Sequence, residues 1–165
     1  ELPHGIVVLR LGRHLVSAGD LADRQSVMRL LKLREQSFEQ SLDAVARLQR
    51  DRQIRASYQP DEVQFHDRCA VCTAALATYL GRTCTPFLAS ELERVKKEAI
   101  YQPRVFFIRN LGFMTPTQAR QISFEETLRF EKIHEKTYRD FGLELVSVEP
   151  GSLAERVSII KTAIR

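Results

Sequence analysis

The sequence predicts a three-layer α/β/α fold on a short, mainly parallel sheet of about four strands. Two observations carry this. Short runs rich in Val, Ile, Leu and Phe alternate along the chain with longer stretches whose apolar residues recur at helical spacing. No internal repeat, low-complexity tract or Gly/Ser linker divides the 165 residues, so residues 1–165 are expected to form a single domain.

The elements follow in chain order. Residues 5–9 (GIVVL) are short and β-branched, as a buried strand requires. A short helix is expected to open near Arg13 and to stop near Gly19. Asp23 is a suitable N-cap for a long helix over 24–52. Val27, Leu30, Leu31, Phe38, Leu42, Val45 and Leu48 share one face of it, and Arg, Glu and Gln crowd the other. Residues 62–66 (EVQFH) read as a second strand ending at Asp67 and Arg68. A helix over 70–80 stops at Gly81. Pro86 sits at the first position of the next helix, which is expected to reach Ile100. Residues 104–108 (RVFFI) are the clearest strand. Residues 109–121 look like a loop or lid. Ser123 and Glu126 form a capping box for a helix that ends near Phe141, with Gly142 as its C′ residue. A fourth strand over 143–148 and a helix over 152–164 complete the chain. Phe106, Phe107, Phe113, Phe124, Phe130, Tyr138 and Phe141 alternate in strand and helix patterns and are expected in the core.

Composition narrows the functional classes. Hydrophobic residues make up 44% and charged residues 28%, which excludes a disordered tail or a collagen-like chain. Twenty-five Lys+Arg against 21 Asp+Glu give a net charge of +4, a mild excess that suits anionic ligands such as nucleotides. It does not call for nucleic acid. The basic stretch Arg47, Arg50, Arg52, Arg55 is broken by Asp51 and reads as a solvated helix end. No apolar run is long enough to span a membrane, and residue 1 begins no signal peptide. The odd cysteine count (Cys69, Cys72, Cys84) argues against a disulfide framework and for a reducing, cytoplasmic setting.

In an open parallel sheet, ligands bind where the strands end. The stretches 10–13, 66–68, 109–110 and 149–152 are therefore the first places to look for a site.

Residues 63–68 (VQFHDR), Leu80-Gly81, 104–108, 120–126 (RQISFEE), 138–146 and 154–157 (AERV) are similar, in order and spacing, to a known family. They resemble P-loop NTPases, more narrowly the AAA-domain family of the NadR-type ribosylnicotinamide kinases, over about residues 60–165. The resemblance implies a P-loop NTPase-like fold and a nucleotide-binding NTPase or small-molecule kinase-like activity. Mg-ATP or Mg-GTP is the implied cofactor, with a small-molecule or protein acceptor. Residues 5–53 then correspond to the family's second strand and the two helices after it, downstream of the phosphate loop and its helix. Relatives often carry Glu-x-Ala-Arg at the end of that strand. Here the stretch is Arg10-Leu-Gly-Arg13, so Arg13 matches and the acid does not.

One departure is large. The phosphate-cradling loop Gly-x-x-x-x-Gly-Lys-[Ser/Thr] does not occur in the 165 residues. That loop supplies the backbone N–H cradle, the phosphate lysine and the Mg²⁺ hydroxyl. The domain is thus expected to lack its first strand and phosphate loop here, to be inactive as it stands, and to self-associate through an exposed edge or flank.

On this resemblance, Asp67 serves as a catalytic acid holding Mg²⁺ through water. Its simpler role is a helix N-cap. Arg68 and the lid residue Arg120 are expected to stabilise phosphate charge. Either could equally be an ordinary surface arginine. Gly151 and Ser152 approach the nucleotide base, or form a turn and an N-cap that need no ligand.

Two other classes remain. One is a non-catalytic interaction protein on a degenerate P-loop fold. The other uses Cys69 and Cys72. His66, Cys69, Cys72 and Cys84 offer four soft ligands for zinc. A strand, then Cys-x-x-Cys, then a helix is also the arrangement of thiol-redox proteins.

Overall fold

A computed structural model describes residues 6–11, 38–58, 63–110 and 123–164. The expected helix near 13–19, the Asp23 cap, the first part of the long helix, Phe113 and the lid lie outside the described residues.

Four strands form one sheet: β1 (Ile6–Leu11), β2 (Val63–Asp67), β3 (Arg104–Ile108) and β4 (Glu144–Val148), in the order β2-β1-β3-β4. β3 and β4 pair in parallel. β1 pairs antiparallel with both β2 and β3. Three of the four strands therefore point one way, and β1, between them, points the other. The sheet is mainly parallel in direction, as expected, with a reversed strand next to its centre. The reversal corrects one expectation. Leu11 pairs with Val63, at the start of β2, whereas Val7 pairs with Asp67, at its end. The carboxyl end of β1, with Arg10, therefore lies at the sheet edge opposite Asp67.

The helices are α1 (Phe38–Ser57), α2 (Ala70–Tyr79), α3 (Pro86–Lys97), α4 (Phe124–Asp140) and α5 (Leu153–Ala163). Each boundary has a local cause. Thr85 caps α3 by accepting from the Leu88 N–H at 3.1 Å, with Pro86 in the first turn. Capping boxes start α4 (Ser123 with Glu126) and α5 (Ser152 with Glu155). Gly142, at φ 93°, turns the chain out of α4 in a conformation other residues resist. α1 runs five residues beyond its expected end at 52, to Ser57.

The helices make the other two layers. On one face, Val105 and Phe107 of β3 pack against Cys69, Val71 and Cys72 around the start of α2 and Tyr138 of α4. α2 is rich in small residues, and seven of its ten side chains are buried. This lets α1 and α3 close over its far side through Ala46, Ala70, Ala74 and Leu88. On the other face, Phe106 and Val148 are buried beneath Ile160, Ala163 and Ile164 at the end of α5. α5 covers its face loosely: none of its residues is buried, and Leu153 is 77% exposed. Among the described residues no helix is long and apolar enough to cross a membrane.

The expected aromatic core is realised in Phe106, Phe107 and Tyr138, while Phe124, Phe130 and Phe141 are half-buried. The buried stripe of α4 is otherwise polar: Thr127, Glu131, His134 and Tyr138.

Candidate functional site

β2 ends at Asp67 and passes through Arg68 into α2. Asp67 is exposed. It does not cap the helix, because the N-cap position belongs to Cys69, two residues on, which makes no side-chain cap bond. Arg68 holds φ 73°, the left-handed region that residues with a Cβ avoid at a cost of about 1–2 kcal/mol. The strained turn places an acid and a base side by side at the strand end, where ligands of such sheets sit.

Arg109, the first residue after β3, is already engaged. Its guanidinium donates to Glu131 at 3.1 Å, to Glu135 at 3.0 and 3.1 Å, and to Ser147 Oγ at 3.3 Å. It also lies 4.8 Å from the centre of the Phe107 ring. Two carboxylates thus neutralise the cation nearest the end of β3, which leaves it little charge for a phosphate. Glu131 and Glu135 are spaced i, i+4, and this pairing on α4 was the available sequence signal for their role.

Gly151 and Ser152 follow β4. Ser152 Oγ accepts from Glu155 N–H at 3.3 Å, and the Glu155 carboxylate accepts from Ser152 N–H at 2.7 Å. A Cβ on Gly151 would stand 3.0 Å from that carboxylate. Both residues are exposed and serve the cap of α5. β2 and β4 are the outer strands, with β1 and β3 between them. Gly151 and Ser152 are therefore three strand spacings, about 14 Å, from Asp67 across the sheet. Arg120 lies outside the described residues.

The cysteines separate. Cys84 is exposed, whereas Cys69 and Cys72 are buried. The four-ligand zinc set of His66, Cys69, Cys72 and Cys84 does not converge, and among the described residues no three His, Cys, Asp or Glu side chains gather as metal ligands. Cys72 lies buried in the first turn of α2, and Cys84 follows the far end of that helix on the surface.

Sequence reasoning did not find the polar hollow of about 360 Å³ between the ends of α1 and α3, lined by Gln53, Ser57, Arg94, Glu98 and Gln102. Its charges are paired within the protein. Arg94 donates to buried Glu91 at 2.6 and 2.9 Å and to Gln53 at 2.7 Å. It opens beside Gln102, just before β3. In the basic stretch, Arg47 stacks 3.9 Å from the Phe87 ring centre, and Arg55 donates to the Asp51 carbonyl.

The profile of the AAA domain matches residues 15–156, most of the chain and all of the described strands but β1. The chain belongs to the AAA domain family. This AAA domain is of the P-loop NTPase class, whose members bind nucleotides. No curated protein and no solved structure matches the chain significantly. The match begins after β1, so the reversed strand lies outside the region shared with the family.

Proposed function

We propose that this AAA domain binds a magnesium nucleotide, Mg-ATP or Mg-GTP, at the carboxyl end of β2, as a cytoplasmic NTPase or kinase-like domain of NadR type. The observation that carries the reading is the strained Asp67-Arg68 turn, with Arg68 at φ 73°. Backbone strain of this kind collects at sites where it positions a group. Magnesium takes one or two carboxylates and completes its shell with water and phosphate oxygens, so a single exposed Asp67 fits it without a cage of ligands. The ion would neutralise phosphate charge. Arg68 and Arg120 would add cations to the same phosphates, and Gly151 with Ser152 would meet the base at the far side of the sheet. The acceptor is a small molecule or a protein.

The residues present supply charge but no phosphate cradle. Weak, magnesium-dependent binding without turnover is therefore expected of the 165-residue chain. Titration with a fluorescent nucleotide analogue, with and without Mg²⁺, tests this. Binding that needs Mg²⁺ and is lost in Asp67→Asn, with folding intact by circular dichroism, supports it. Binding unchanged in that variant moves the site elsewhere, and no binding at millimolar nucleotide ends the reading.

The absence of Gly-x-x-x-x-Gly-Lys-[Ser/Thr] from the 165 residues favours a second reading, an interaction protein on a degenerate P-loop fold. Magnesium-dependent hydrolysis abolished by Asp67→Asn would exclude it.

A further inference from the structure

Cys69 and Cys72 occupy the N-cap and N3 positions of α2, one turn apart. Their sulfurs converge on one atom: Tyr138 Oη lies 2.8 Å from Cys72 Sγ and 3.4 Å from Cys69 Sγ. His134, one turn earlier on α4, flanks Cys72. Its Nδ1 lies 3.0 Å from the Phe130 carbonyl. A carbonyl only accepts, so Nδ1 carries the proton and Nε2 of the neutral ring keeps a lone pair. Nε2 is buried and has no hydrogen-bond partner among the described residues. Neither the nucleotide reading nor simple packing accounts for two thiols, a phenol and an imidazole gathered in one apolar cluster.

We propose that Cys69 and Cys72 form a reversible dithiol–disulfide pair oxidised by hydrogen peroxide, with His134 as the proton acceptor. The two sulfurs are not equivalent. At Cys72 burial is opposed by the neighbouring Cys69 thiol, the His134 ring and the Arg68 charge, which bring its thiol well below the ordinary range. Cys72 also makes the shorter contact with Tyr138 Oη, 2.8 Å against 3.4 Å for Cys69, and is assigned as the nucleophile.

The Cys72 proton passes to His134 Nε2, and the thiolate attacks one oxygen of the peroxide. An S–O bond forms and the O–O bond breaks. The departing hydroxide takes the proton back from His134 and leaves as water, so Cys72 is now a sulfenic acid. Cys69 Sγ then attacks the Cys72 sulfur. The S–S bond forms, the S–O bond breaks, and hydroxide leaves with the Cys69 proton as a second water. Two electrons have moved from the sulfurs to the peroxide, and two equivalents of a thiol reverse the change. Cys69 is 0% and Cys72 3% exposed, so a water-sized oxidant suits the site and a bulky disulfide such as oxidised glutathione does not.

The test uses the full chain carrying Cys84→Ser, which removes the exposed thiol. The folded protein is treated with hydrogen peroxide or oxidised glutathione, unfolded, alkylated and weighed. With peroxide the expected mass falls by two hydrogens, both remaining cysteines escape alkylation, and dithiothreitol restores them. Glutathione leaves both thiols alkylated. Cys69→Ser should stop at a single added oxygen on Cys72. His134→Gln should slow oxidation by about tenfold or more while Cys69 and Cys72 still pair at the end point, which separates proton transfer from mere packing. The proposal is overturned if the folded chain keeps both thiols in peroxide while the urea-unfolded chain forms the disulfide. Stable oxygen adducts on Cys72 with Cys69 present would overturn it as well.

Discussion

Arg109 and Glu135 meet through two parallel hydrogen bonds, Nη1 to Oε2 at 3.0 Å and Nη2 to Oε1 at 3.1 Å. This fork ties the end of β3 to the middle of α4, and Glu131 joins it from one helical turn earlier. Removing the guanidinium leaves Glu131, with a side chain only 10% exposed, without this cation. Arg109→Ala is expected to cost about 3 kcal/mol in urea unfolding, because a buried charge losing its partner keeps its desolvation penalty. Lys136→Ala breaks an exposed pair with Asp140 and should change stability by less than about 0.5 kcal/mol.

The same fork sets a pH dependence. Its hydrogen bonds hold the Glu135 carboxyl below the usual carboxylate range, against the upward push of burial. A carboxyl depressed in the folded state takes up its proton first in the unfolded chain. Its stabilisation is complete above the unfolded value of about 4.3 and is lost as pH falls through the lower folded value. The thermal midpoint should therefore fall between about pH 5 and about pH 3, and Glu135→Gln should flatten part of that slope. Glu125 and Glu155, also lowered, supply some of the remainder.

Arg68→Gly separates strain from function. Glycine takes φ 73° without the Cβ clash, so the variant should gain about 0.5–1 kcal/mol in urea unfolding. On the proposed function it should also weaken nucleotide binding, since a cation leaves the strand end. A loss of both stability and binding would mean that Arg68 packs rather than recognises.

Ser152→Ala tests the opposite kind of residue. Its hydroxyl and backbone serve Glu155 in the cap of α5. A stability loss of about 1 kcal/mol is expected. A fall in nucleotide affinity larger than that loss explains would support the proposed contact of this turn with the base.

The parts of the fold legible in the sequence are those with local causes. β3 is an uninterrupted apolar run, and its bounds, 104–108, match the expectation. The capping box at Ser123, the N-cap at Ser152 and the turn at Gly142 are equally local, and each is present. The direction of β1 is not local. An Ile-Val-Val-Leu run is as apolar read either way, and only its pairing with Asp67 and Phe106 through Val7 reveals the reversal. The buried stripe of α4 was illegible for a similar reason. Glu131 can be buried because Arg109 arrives from a different element, and His134 and Tyr138 because the thiols of the α2 turn arrive from another. For the candidate site, the sequence named Asp67 and Arg68 by their place after a strand, which the structure keeps. It named Gly151 and Ser152 likewise by their place after the last strand; how far they stand from Asp67 depends on strand order, which cannot be read from one chain's periodicity.

The reversed strand also bears on how the chain is made. β1 precedes every other described element, yet Val8 pairs with His66 on one side and Val105 on the other. During synthesis, which runs from the amino terminus, β1 leaves the ribosome long before either neighbour exists. Its backbone donors and acceptors then stay open until β2 and afterwards β3 emerge. Pairings so distant along the chain are slow to close, and an open apolar strand is what holding chaperones bind. Folding of this sheet therefore waits on its third strand, and the nascent chain is most exposed to misassembly between the emergence of β1 and that of β3.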